Sequence, residues 1–210
     1  MCFLIERMFF MFTETRYERV DFSDAEILEE KLSGITFIDC IFRGADFAAI
    51  ILEGCRFERC RFEGAAFNGV TVRRCGFINC TFQYADCFAA EFHDCKMTGT
   101  SFDGARTTAM VIDAGDWRLT MLEGIDFTKA RLKDISFAEA DLRECCFNSA
   151  VLTRCDFTGA DICGASFKNA DLRTSRLANV SLLDADFKGA KVDLEQAVLF
   201  AEALGVKVIL

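Results

Sequence analysis

The chain contains no proline, one histidine and one tryptophan among 210 residues. Without proline, turns must rest on glycine and small polar residues. With His93 alone, beside Asp94 and with no nucleophile paired to it, imidazole-based catalysis has little to build on. Positive charge is also scarce: 24 Lys and Arg against 33 Asp and Glu give a net charge of −9. That balance excludes a basic nucleic-acid groove and suggests one soluble acidic domain. Long apolar runs are missing too. Met1–Phe12, MCFLIERMFFMF, is too short to span a bilayer and is interrupted by Glu6 and Arg7. It has neither a basic start nor a small-residue cleavage site, so it reads as a leader or cap, not a signal peptide.

What the chain does have is a five-residue period. From Tyr17 to Val192 every position ending in 2 or 7 is apolar except Thr107, and none of these 36 positions is charged. Two residues before each lies a small or apolar residue, with Glu30 the one charge at those places. A period of five fits neither the helix at 3.6 nor the strand at 2. It fits a coil with one flat side per five residues, each side sending one large and one small residue inward. Of 14 glycines, 11 lie two residues after a central position, where corners demand positive φ. No phosphate-binding glycine loop departs from this spacing.

The motifs ADLRE, ADICG, ADLRT and ADFKG resemble the pentapeptide-repeat family over roughly residues 12–192. The resemblance implies an all-β solenoid, a right-handed quadrilateral β-helix with four pentapeptides per coil. On that reading 36 repeats make about nine coils. The chain then divides into an N-terminal leader or cap (1–14), a β-helix (15–192) and a C-terminal helix and short strand (193–210).

Twelve cysteines would suggest disulfides in a secreted protein. Here Cys40, Cys55, Cys60, Cys75, Cys80, Cys95, Cys145 and Cys155 take the small inward place. At 20 residues per coil, Cys55, Cys75 and Cys95 form one column and Cys40, Cys60 and Cys80 another. They read as small hydrophobes. A zinc site needs a converging cluster, which linear columns do not supply. No metal and no cofactor are expected.

The repeat is weakest at Ala105–Leu122, where Thr107 holds a central position and Met110, Gly115 and Thr120 are atypical at the small one. Two readings stay open there. One is a relaxed coil around Trp117. The other is a bend or contact site using Arg106, Asp113, Asp116 and Arg118. After Val192 the pattern changes. Asp193 and Gln196 suit a capping box, Leu194–Leu204 has helical spacing, and Gly205 stops it. Val206–Leu210 reads as a strand. Ala197, Val198, Phe200, Ala201 and Leu204 share an apolar face that would cover the open end of the solenoid. The surplus apolar residues predict a dimer interface formed by Leu194, Val198, Leu199, Phe200, Ala201, Leu204, Val206, Val208 and Leu210.

This ending, GAKVDLEQAVLFAEALGVKVIL, and CKMTGTSF at Cys95–Phe102 are similar to the Qnr and MfpA type of pentapeptide-repeat protein. That resemblance implies a cytoplasmic, rod-shaped homodimer joined at the C-termini. Such proteins bind DNA gyrase, and often topoisomerase IV, in place of DNA and shield it from quinolones or other poisons. The unbroken register leaves no room for the projecting loops of plasmid-borne Qnr proteins, so the loop-free MfpA-like form is the nearer match.

Charge is spread unevenly over the sides of the coil. The side centred on Phe22, Phe42 and onward to Leu182 carries −6, while the others carry +1, −2 and 0. Its acids are Asp21, Asp24, Glu63, Asp103, Glu123, Asp141, Glu144, Asp161 and Asp184, offset by Arg43, Arg61 and Arg143. Acidic pairs such as Asp141 and Glu144 would point out from a convex surface, which offers no pocket for catalysis. The protein is therefore not expected to be an enzyme. Two function classes remain: a topoisomerase-binding DNA mimic, and a scaffold for another regulatory protein. Nine coils would span roughly 43 Å at about 4.8 Å per strand. DNA carries roughly 25 charges over that length, far more than six, so mimicry would rest on form plus one acidic stripe.

Overall fold

Small inward residues at every fifth place let four short sides close around a narrow core. In the computed structural model, which describes residues 9–209, the chain forms a four-sided parallel β-solenoid. It falls into two compact units, residues 9–96 with Thr100–Val111, and Met97–Gly99 with Ile112 onward. The division falls where the repeat is weakest in sequence.

In the first unit every side steps by 20 residues. Arg16–Glu18, Thr36–Ile38, Arg56–Glu58 and Gly76–Ile78 form one parallel ladder. Lys31–Ser33, Ile51–Glu53, Thr71–Arg73 and the start of Glu91–Lys96 form a second. Bridges join Asp21, Ile41, Arg61, Thr81 and Ser101 on the third side, and Glu26, Asp46, Ala66, Asp86 and Arg106 on the fourth. In the second unit Arg131–Lys133 pairs with Val151–Thr153, and bridges join Asp126, Cys146, Ser166 and Asp186. The sequence count of about nine coils is corrected to about seven turns. Beyond Thr153 the rungs meet only through isolated bridges, such as Asp171 with Lys191, so fewer coils are closed by paired strands than the repeats count.

The central positions fill the core with ring ladders. Phe22, Phe42, Phe62, Phe82 and Phe102 stack at centroid separations of 4.8–5.0 Å. Phe127, Phe147, Phe167 and Phe187 stack at 4.7–5.0 Å. Phe12 closes the first coil, with its ring edge-on to Tyr17, Phe22 and Phe37 at 5.2–5.4 Å. Residues 1–8 of the expected leader lie outside the described residues. Polar residues at small inward places are satisfied: the Thr100 hydroxyl donates to Phe77 O at 2.8 Å, and that of Ser175 to Leu152 O at 2.9 Å. The 11 described cysteines are free thiols. Burial pushes Cys87, Cys145 and Cys155 up to about 12 and Cys95 up to about 11, so they stay neutral. Among the described cysteines only Cys163 is exposed.

Corners explain the glycine spacing only in part. Besides glycines, 22 other described residues at these places have φ of 50–73°. Each non-glycine costs roughly 1–2 kcal/mol in a left-handed conformation. Corner amides offset this by bonding to the next coil, as Tyr84 N–H does to Asp103 O at 3.2 Å and Glu144 N–H to Cys163 O at 2.9 Å. Gly69→Ala, with φ of 67° and open space around the new Cβ, should lose about 1 kcal/mol from backbone strain alone. Gly104→Ala should lose distinctly more, because its Cβ would lie 2.6 Å from the Tyr84 ring. Denaturant midpoints of the two variants provide the comparison, and equal losses would show that the Tyr84 ring yields without cost.

The C-terminal segment forms a helix, α1, at Leu194–Ala203. The expected capping box is present: Gln196 N–H donates to Asp193 Oδ1 at 3.0 Å, and Asp193 N–H to Gln196 Oε1 at 3.0 Å. The expected strand at Val206–Leu210 is not formed over residues 206–209. Among the described residues no strand pairs with them; Leu210 lies outside the described residues. No helix among the described residues is long and apolar enough to cross a membrane.

Candidate partner-binding surface

On a side of five residues the central one points in and its two neighbours point out. Side chains at positions ending in 1, 3 and 4 therefore form the outer face on which the acidic residues fall. In the first unit Asp21, Asp24 and Asp103 are exposed. The carboxyl of Asp21 is held below its ordinary value by the Ser23 hydroxyl and amide. Asp24 leans across the next coil, where a side chain at Gly44 would meet it. Asp103 accepts from Gln83 Nε2 at 3.1 Å. Glu63 is tied to Arg61 at 3.0 Å. With Arg43 also present, this side of the first unit carries −2.

The second unit concentrates more charge, −4, from Glu123, Asp141, Glu144, Asp161 and Asp184 against Arg143. The bridges Met121–Asp141–Asp161 put Asp141 and Asp161 one above the other. Arg143 lies among three carboxylates. It forks onto Asp141 at 2.8 and 2.6 Å, reaches Glu123 at 2.9 Å and stands 3.9 Å from Asp161. Its hydrogen bonds hold the Asp141 carboxyl below the usual aspartate value. Asp141 is therefore a partly covered anchor for Arg143, whereas Glu123, Glu144 and Asp161 stand exposed. The Glu144 side chain lies over Gly164. Asp184 departs from the ladder, because Leu182–Asp184 turns as a 3-10 helix and no bridge continues from Asp161.

At the C-terminus the expected interface residues divide. Phe200 is edge-on to Phe187 at 4.8 Å and belongs to the end of the core. Val198, Leu199, Ala201 and Val208 are half-buried, and Val206 and Leu204 are exposed. Leu194 is 77% exposed and Ile209 85%. Sequence reasoning missed what Gln196 does beyond its cap. Only 2% exposed, it donates from Nε2 to Leu172 O at 2.7 Å and Ser175 O at 2.6 Å. Asp193 Oδ2 takes the Thr174 amide at 3.0 Å. These bonds fix α1 to the last coil.

Trp117 is buried, Asp116 and Arg118 pair with each other at 2.8 Å, and Arg106 pairs with Asp86 at 3.0 Å. His93 meets Glu91 at 3.1 Å. Among the described residues no three His, Cys, Asp or Glu side chains converge as a metal site.

A parallel solenoid of five-residue sides, with charged outer faces and a ring-filled core, is a repeat protein. The chain belongs to the pentapeptide-repeat proteins. The model for the pentapeptide repeat region matches residues 70–145, and that for pentapeptide repeats in eight copies matches 40–77 and 155–192. No curated protein matches the chain. Among solved structures it is similar to full-length QnrB1, a plasmid-mediated fluoroquinolone resistance protein. The identity is 22%, the TM-score 0.71, and the match covers 91% of this chain and 100% of that one. A trypsin-treated QnrB1 variant matches at 24% identity and TM-score 0.71, over 92% and 95% of the two chains. HetL, a pentapeptide repeat protein involved in heterocyst differentiation regulation in the cyanobacterium Nostoc sp. strain PCC 7120, matches at 19% and 0.50, over 85% and 84%.

Proposed function

We propose that this protein binds a type II topoisomerase, chiefly DNA gyrase with topoisomerase IV as a second target, and protects it from quinolones or other topoisomerase poisons. The observation that carries the reading is the fold likeness to QnrB1 over that protein's full length. The acidic side of each unit supports it, since it would face the basic saddle that normally holds DNA. Rungs about 4.8 Å apart each bring about one carboxylate, where duplex DNA would bring roughly three phosphates. Binding then depends on the spacing of Asp21, Asp24, Asp103, Glu123, Glu144 and Asp161 and on steering by their charge. The reading places the protein in the cytoplasm and gives it no catalytic step.

A gyrase supercoiling and cleavage assay, with and without a quinolone, tests the proposal. Purified protein should relieve drug-stabilised cleavage. A wild type that changes neither reaction removes the topoisomerase reading and favours a scaffold for another regulatory protein, the reading to which the likeness to HetL belongs.

The same proposal joins two copies through Leu194–Leu210 by a self-complementary contact. Its support is the apolar surface left exposed at Leu194, Leu204, Val206 and Ile209. Deleting Val206–Leu210 should yield monomers or aggregates in sedimentation velocity runs. A full-length chain that sediments as a monomer at micromolar concentration would rule the dimer out.

A further inference from the structure

In the first unit, the side that runs through Asp46, Ala66, Asp86 and Arg106 carries mostly small outward residues, such as Ala48 and Asn68. One ring, Phe88, stands out from it, and a second, Tyr84, stands on the corner this side shares with the acidic side. Tyr84 is 69% exposed and Phe88 42%. Both are held in place before any partner arrives. Tyr84 sits on a corner with φ of 56°, and its ring lies over Gly104, where even a Cβ would come within 2.6 Å of it. Phe88 lies under the guanidinium of Arg106, 4.6 Å from the ring centroid, and Arg106 is itself held by Asp86 at 3.0 Å. Rigid aromatic side chains beside arginine are the usual make-up of binding hot spots, and covering them costs little entropy.

We infer that Tyr84 and Phe88 are the apolar anchor with which the acidic side holds a basic protein partner, their rings entering an apolar notch beside that partner's lysines and arginines. Charge complementarity selects this occupant. Although Arg106 answers Asp86, the two sides that meet at Tyr84 carry −2 and −3 in the first unit, so phosphate groups of a nucleic acid or an anionic membrane would be repelled, while a basic protein surface would be drawn in. The identity of the partner as gyrase rests on the topoisomerase reading above.

The test measures gyrase binding over a salt series for wild type, Tyr84→Ala with Phe88→Ala, and Leu28→Ala. Leu28 lies on the same side, exposed, outside the anchor. The double variant should bind at least about tenfold more weakly with an unchanged salt slope, because no charge is lost. Leu28→Ala should bind as wild type. Each single variant, expected to weaken binding at least about threefold, keeps the test decisive should the double variant melt early. Wild-type affinity in variants that keep their thermal transition overturns the anchor and leaves the topoisomerase reading standing. A wild type that binds no gyrase overturns that reading and the anchor with it.

Discussion

Glu123→Lys combined with Asp161→Lys should weaken gyrase binding by at least about tenfold and flatten its dependence on salt. The same change of charge at Glu18 and Glu139, on the near-neutral side, should have less than about a threefold effect. Glu123 and Asp161 are exposed and stand on either side of Arg143. Reversing both would surround that guanidinium with ammonium groups and turn the most acidic stretch of the second unit basic. Asp141 belongs outside this pair, although it shares the side. Its two oxygens fork onto Arg143 at 2.8 and 2.6 Å, so a lysine there would disturb the surface itself as well as its charge. Isothermal titration of each variant against gyrase at two salt concentrations provides the measurement. Identical behaviour of the two pairs would remove the acidic side from the binding surface.

Gln196→Ala should cost about 3 kcal/mol, since it strands the Ser175 carbonyl and the Asp193 amide at ~1–3 kcal/mol for each group left without a partner, less what entering water restores, while the Leu172 carbonyl keeps the Ser175 N–H at 2.9 Å. For a chain of this size that lowers the melting temperature by roughly 6–12 °C. Gln196→Glu should do no better. It keeps the acceptor for Asp193 but turns a charge toward the carbonyls of Leu172 and Ser175, where the amide nitrogen now donates at 2.7 and 2.6 Å. Melting followed by circular dichroism decides the matter. A fall of less than about 2 °C, within the effect of an ordinary surface change, would show that α1 is not what closes the last coil.

The core was legible because it repeats. Large residues at positions ending in 2 and 7, with small ones two places earlier, fixed which side chains point inward, and the phenylalanine columns follow from a step of 20. The capping box of Asp193 and Gln196 was legible for a different reason: it is local, spanning three residues. What stayed hidden depends on contacts between coils. The outer amide nitrogen of Gln196 finds carbonyls 24 and 21 residues away, and nothing in its neighbours in sequence announces that. Arg143 entered the side charges as one positive unit, yet its position between carboxylates on the coils before and after makes it the centre of the cluster. Glycine at a corner marked the turn, but residues such as Tyr84 and Lys129 occupy the same conformation, because hydrogen bonds to the next coil outweigh their strain. The strand expected after Gly205 rested on apolar composition alone, and a strand also needs a neighbour.

The ladder step of 20 residues also governs how the second unit tolerates changes in length. An insertion of one whole coil between Lys129 and Ala140 would leave Glu123 and Asp161 on one side of the solenoid, merely farther apart. An insertion of five residues at the same point would keep every large residue pointing inward, although it would part Phe127 from Phe147, which stack at 5.0 Å across that point. It would also carry Asp141, Arg143 and Asp161 a quarter of the way around, away from Glu123. Inward and outward are thus read at an interval of five residues, whereas ring columns and charge pattern are both read at 20, so that an edit which keeps the core apolar can still rewrite which residues meet from coil to coil.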